Sequence, residues 1–191
     1  MGVFLREDRA AKEFETLVLA HLDTAYNLAR WLTRNDHDAE DLVQNAYLRA
    51  FRFRDSYRGG DIRVWLMTIV RNTYYTSLRD GKAMSADIGF DEDLHGDAEA
   101  ANDDSAYAFN KDPAHALEDR DQRNMVNRAL EKLPQVFKEV LVLKEMDDFS
   151  YKEIADVTGI PIGTVMSRLA RARKLLLGLL RTEQQGDGHG M

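Results

Sequence analysis

Apolar side chains at Phe14, Leu17, Val18, Leu22, Ala25, Leu28, Ala29 and Leu32 recur at intervals of three and four, the spacing that lines one face of a helix. A polar break from Thr33 to Asp36 follows and offers N-cap residues for a second helix. That helix carries Leu42, Ala46, Ala50 and Phe53 on one face. The Gly59-Gly60 pair separates it from a third helical segment, with Ile62, Trp65, Leu66, Ile69 and Leu78 at the apolar positions. No window alternates apolar and polar residues between hairpin turns, so the expected fold class is all-α.

The pattern then fails for some thirty residues. Residues 81–112 are rich in Asp, Ala and Gly and poor in large aliphatics. Such a stretch buries too little apolar surface to offset the entropy of ordering it, which predicts a flexible linker. Helical spacing resumes at Pro113, a favourable first-turn residue, through Ala116, Leu117, Val126, Leu130 and Leu133. Pro134 opens a further apolar stretch with Val136, Phe137, Val140, Leu141 and Leu143. The layout expected is two small helical domains, residues 10–80 and 113–182, joined by the linker and followed by a disordered tail, 183–191.

The sharpest local signal begins at Ser150. Ser150, Tyr151, Lys152 and Glu153 have the form of a capping box, in which serine and glutamate satisfy each other's backbone N–H groups. Ile154, Ala155 and Val157 supply the packed face of a short helix, and Gly159 ends it in the left-handed conformation that glycine adopts cheaply. Residues 161–163 reopen the chain into a second helix with Val165, Leu169 and Ala172 or Leu176 inward. Two short helices joined by a glycine turn make a helix-turn-helix, whose second helix enters the DNA major groove. Thr164, Met166, Ser167, Arg168, Arg171 and Lys174 are the candidates to face it, since arginine offers a fork to guanine or phosphate and lysine attracts phosphate. A solvated basic face of an ordinary helical hairpin is the competing reading.

Charge supports the groove. The net charge of −7 is unlike a nucleic-acid binder until it is located. Residues 80–112 carry ten acids against two lysines, or −8, which leaves +1 for the rest of the chain. Residues 160–182 hold Arg168, Arg171, Arg173, Lys174 and Arg181 and no acid. The asymmetry points to a polyanion at the C-terminal end. The chain has no cysteine, which excludes disulfides and thiolate metal sites. Neither a secretory signal nor an apolar run near the ~20 residues of a membrane span is visible, so a cytoplasmic protein without direct membrane insertion is expected. The histidines His21, His37, His95, His115 and His189 have no ligand spacing, and no phosphate loop or nucleophile motif is present. No metal, cofactor, small-molecule substrate or catalytic residue is expected, and the protein is read as no enzyme.

In combination the segments resemble the extracytoplasmic-function sigma factors of the sigma-70 family. The stretch Asp38–Arg52 is similar to the segment with which those proteins grip the β′ clamp helices of core RNA polymerase; there the resemblance implies contacts by Asp38, Asp41, Leu42, Gln44, Asn45 and Leu48. Phe53–Gly60, followed by Trp65-Leu66 and Val70-Arg71-Asn72, resembles their promoter-opening and −10-reading segment. That match implies roles for Tyr57, Arg58, Gly59, Gly60, Asp61, Arg63, Arg71 and Asn72. Gly159–Leu176 resembles their −35-reading helix. The partners implied are core polymerase (clamp helices and β flap), promoter DNA and an anti-sigma factor wedged between the two domains. Asn45 departs from the usual acid of relatives, and Ile62 and Met67 stand where aromatics are frequent.

Two other classes fit parts of the chain. A dimeric helix-turn-helix regulator would share the C-terminal motif but needs a ligand or dimerisation domain. A sigma-like decoy that only titrates an anti-sigma factor would be expected to lose its recognition arginines.

Overall fold

The computed structural model describes residues 2–87, 122 and 124–186, with side chains over 11–81, 122 and 124–182. The helices run in the order α1 (Gly2–Leu19), α2 (Leu22–Thr33), α3 (Asp36–Arg52), a 3-10 turn (Arg54–Ser56) and α4 (Ile62–Asp87). Residues 124–131 then form the described part of α5, followed by α6 (Gln135–Glu145), α7 (Tyr151–Thr158) and α8 (Ile162–Gly186). No strand occurs among the described residues. The expected linker lies largely in 88–121, outside them. Helix α4 continues seven residues past the expected boundary at 80, α1 begins eight residues before the expected start at 10, and α8 runs four residues into the expected tail.

The single first helix read from the sequence is two. It breaks at Ala20-His21, where the His21 N–H turns back to the Val18 carbonyl at 3.1 Å. Neither residue is Gly or Pro, so no break signal was legible. The break re-aims the inward faces: Phe14 and Val18 point to the core from α1, and Ala25, Leu28, Ala29 and Leu32 from α2, while Leu17 and Leu22 stand exposed. The buried Tyr47 hydroxyl of α3 donates to the same Val18 carbonyl at 3.1 Å, and burial pushes its pKa up to about 12. Asn35 caps α3 as expected, its side chain accepting from the Asp38 N–H at 3.1 Å.

Helix α3 buries Ala39, Leu42, Val43, Ala46, Tyr47 and Ala50. Phe53 was expected on that face, but it is exposed just beyond the helix end, where its N–H closes the last turn on Arg49. From α4, Ile62, Leu66, Met67 and Val70 complete the N-terminal core.

Helix α6 is the centre of the C-terminal part. Six consecutive positions from Lys138 to Leu143 are buried, more than one full turn, so other elements surround this helix on every side. One side packs on α8; the other packs on α2 of the N-terminal domain, and α7 packs on α4. The apolar cluster is continuous across both domains. The space in which the resemblance would wedge an anti-sigma protein is filled by the domains themselves.

Candidate nucleic-acid interface

The helix-turn-helix forms as the residues dictate. The Glu153 N–H donates to Ser150 Oγ at 3.3 Å, and the Ser150 N–H donates to Glu153 Oε2 at 2.6 Å. These bonds hold the Glu153 carboxyl below its usual pKa. Gly159 closes α7 at φ 68°, and its N–H reaches the Ala155 carbonyl. Val165, Leu169 and Ala172 anchor α8 inward.

On the opposite side of α8, Met166, Ser167, Arg171 and Lys174 are exposed, with Thr164 and Arg168 half-buried. A shallow cleft of about 390 Å³ opens along this face between Phe137, Ser167, Arg168, Ala170, Arg171 and Lys174. It is apolar at its floor and cationic at its rim, so a phosphate-bearing ligand finds positive charge without an acid on the same helix face. Arg173, counted with the basic residues in sequence, is turned away: it ion-pairs with Glu145 of α6 at 2.6 Å.

The second surface follows α3. Gly59 and Gly60 take φ values of 88° and 101°, which side-chain-bearing residues rarely adopt. The Tyr57 hydroxyl donates to the Gly60 carbonyl at 2.7 Å and closes the loop. Tyr57 also packs at 5.5 Å on Trp65, which contacts Phe14 at 5.9 Å; the tyrosine is thus part of the aromatic support, and Trp65 is half-buried as expected of a core residue. Asp61 caps α4, accepting from the N–H groups of Arg63 and Val64 at 2.8 and 3.3 Å. Arg58 and Asn72 are exposed, whereas Arg63 and Arg71 are not free. Tyr74 and Tyr75 are both half-buried, ring against ring at 5.2 Å, and burial raises both pKa values.

Arg63 and Arg71 turn into the junction between the domains. Arg71 Nε lies 2.6 Å from Glu139 Oε1, its guanidinium is 4.6 Å above the Tyr75 ring, and the glutamate side chain is 1% exposed. Burial still raises the Glu139 pKa, against the opposing effect of Arg71. The Arg63 guanidinium sits 3.9 Å over the Phe149 ring, donates to the Asp147 carbonyl at 3.1 Å and lies 3.7 Å from Glu153. Burial pushes Asp147 up to about 6, offset in part by Asn27 and Arg63. Lys138, fully buried, donates to the Glu131 carbonyl at 3.2 Å, and burial with Arg34 and Arg30 nearby lowers it to about 8. Glu139, Lys138 and Asp147 were not singled out in the sequence. The signal available was the charged pair Lys138-Glu139 set inside the apolar run Val136–Leu143.

A third surface lies on the outward side of α3. Leu22, Asp23, Tyr26, His37, Glu40, Asp41, Val43, Gln44 and Tyr47 line an open groove of about 650 Å³. Asp38, Asp41, Gln44, Asn45 and Leu48 are exposed there, so the predicted polar face exists. Leu42 does not belong to it; at 6% exposure it packs in the core.

Both halves of the chain match known proteins. The sigma-70 region 2 family matches residues 17–83, and the sigma-70 region 4 family matches 123–176. The ECF RNA polymerase sigma factor SigE of Mycolicibacterium smegmatis is 31% identical over 170 residues, covering 89% of this chain and 62% of that protein. The ECF RNA polymerase sigma-E factor of Escherichia coli K12 is 33% identical over 172 residues, covering 86% of this chain and 85% of its own length. Among solved structures, the sigma factor RpoE of Bartonella quintana, in complex with the anti-sigma factor NepR, superposes with a TM-score of 0.66. It is 29% identical and covers 89% of this chain and 98% of its own. Both halves being matched in order, with helical elements that fold as those halves require, the chain belongs to the ECF RNA polymerase sigma factors of the sigma-70 family.

Proposed function

We propose that the chain lends promoter specificity to core RNA polymerase, with three surfaces dividing the work. The outward face of α3 docks on the polymerase clamp helices through Asp38, Asp41, Gln44, Asn45 and Leu48, with acids and amides complementing a basic partner. The loop at Arg58–Asp61, with Arg63, Arg71 and Asn72 on α4, takes up the −10 region. Unstacking bases there costs a few kcal/mol, and a glycine loop with cations and nearby aromatics is suited to hold a single strand. Helix α8 reads the −35 region through Thr164, Met166, Ser167, Arg168, Arg171 and Lys174, and the C-terminal domain meets the β flap. An anti-sigma factor holds the chain inactive, by analogy with the Bartonella structure.

The observation that carries this reading is the acid-free cationic face of α8, presented outward by a capped helix and a glycine turn. A dimeric regulator is disfavoured by what precedes it, a helical domain matched to sigma-70 region 2. The test is transcription from genomic fragments by purified core enzyme with and without the chain, followed by mapping of transcript 5′ ends. Discrete start sites that depend on the chain are expected; transcripts unchanged by its addition would overturn the reading.

A further inference from the structure

The outward face of α8 is not uniformly polar. Ile162 is 49% exposed and Met166 52%, and Ala170 is exposed as well. Spaced by four, these three stand in one row along the helix. Arg168 and Arg171 lie on the other flank of the same face, with Gly163 and Ser167 between the two rows. The core is anchored from behind by Val165, Leu169 and Ala172, so it has no need of the apolar row. We propose that Met166 is a base-specificity residue of this helix, its thioether side chain reading the C5-methyl group of thymine in the −35 element. The inference rests on the DNA-reading function proposed above and names the base that the helix selects.

Charge and position narrow the partner. The cations Arg168, Arg171 and Lys174 flank the row, and residues 160–182 hold no acid, so the surface that settles here is negatively charged. The row must then meet an apolar group carried by a polyanion. On the base edges of a major groove that group is the thymine methyl, since the other three bases present only donors and acceptors. The first residues of a recognition helix are those that reach base edges; Ile162 opens α8, and Met166 stands one turn on. Gly163 adds to the case. A Cβ there would meet nothing within 4 Å, so no packing inside the chain calls for glycine, whereas a duplex seated against the helix leaves little room.

Methionine suits this task. Its unbranched, polarizable side chain adapts to an irregular apolar contact, and it brings no donor that burial would leave unpaired. A guanine or cytosine edge set against it would lose the hydrogen bonds that water gave it. Selection therefore has two sides, attraction of the methyl and rejection of the polar edge. Arg171 and Lys174 supply affinity on this face, and Met166 supplies choice.

The experiment uses the full chain with core polymerase and a promoter fragment found by start-site mapping. Each thymine of the −35 element, on either strand, is replaced in turn by deoxyuridine, which removes the methyl and keeps the hydrogen-bonding edge. At one or two positions the wild type should bind about fourfold more weakly, equivalent to about 0.8 kcal/mol for one buried methyl. Met166→Ala and Met166→Gln should bind the two fragments equally at those positions, and Met166→Leu should keep the difference. Arg171→Ala should weaken both and keep it too. A wild-type chain indifferent to every replacement would overturn the proposal, even should a variant fail to fold. A Met166→Ala chain with a native circular dichroism spectrum and an undiminished difference would overturn it as well. Loss of core-polymerase binding by Met166→Ala in the absence of DNA would mean that the row meets a protein, and would overturn it. Absence of any chain-dependent start site is seen before a thymine is replaced, and would remove the DNA-reading function and this inference together.

Discussion

The two surfaces proposed to face DNA differ in what already occupies them. On α8 the outward cations Arg171 and Lys174 meet solvent, and the helix is anchored from behind by Val165, Leu169 and Ala172. On α4 the two central arginines are taken up by the other domain, Arg71 by Glu139 and Arg63 by the Asp147–Glu153 corner. The same residue type therefore does opposite things: in one place it waits for a ligand, in the other it has an internal one. A basic residue in a reading segment is evidence of affinity, and the fold decides whether that affinity is available.

The largest effect that would sharpen this contrast is loss of the free face. Arg168→Ala with Arg171→Ala should remove about 2–6 kcal/mol of sequence-specific binding, taking about 1–3 for each good arginine contact. Chain-dependent transcription would fall at least about thirtyfold, at about 1.4 kcal/mol per tenfold, while thermal stability stays near wild type. Retained start-site choice would mean that α8 does not read DNA. Close behind comes the α3 face, which contacts neither surface. Asp41→Arg sets like charges against a basic partner, at a cost of several kcal/mol, and should abolish co-purification with core enzyme without altering the circular dichroism spectrum.

The occupied surface is probed by its least comfortable group. Burial raises Asp147 to about 6 from 3.8, so the folded form binds its proton more tightly than the unfolded chain does. The penalty for this carboxylate is absent below about pH 4, grows as pH rises through the interval to 6 and is constant above it. Asp147→Asn should therefore stabilise the protein above pH 6 by about 1–3 kcal/mol, at about 1.4 kcal/mol per unit, and change little near pH 4. Melting curves at pH 7.5 and pH 4 read both limbs; a variant less stable at pH 7.5 would contradict the assignment. The smallest effect returns to the free face. Ser150→Ala removes the capping hydroxyl and should cost about 1 kcal/mol, seen as a lower midpoint in urea with an unchanged slope.

How much of this was legible follows the range of the interactions. The capping box at Ser150–Glu153, the glycine turn and the inward set of α8 are local, and each lies where residue types and spacing predicted it. Asn35 as a cap is local too. The break at Ala20-His21 left no Gly or Pro to mark it. Spacing put Leu42 on the apolar face of α3, where it is buried, and only the resemblance made it a contact residue; the exposure of Phe53 turns on where α3 ends, which spacing alone leaves uncertain by a residue or two. The inter-domain contact was out of reach for another reason. Lys138-Glu139 inside an apolar run says that something charged is buried, but the ion-pair partner of Glu139, Arg71, lies 68 residues away. No periodicity spans such a distance.

Arginine-selective chemical labelling of the free full-length chain, followed by peptide mass mapping, tests the contrast between the two surfaces most directly. Arg58 and Arg171, both exposed, should modify rapidly, whereas Arg63 and Arg71 should be protected for as long as the protein stays folded. Equal labelling rates at all four positions would contradict the account.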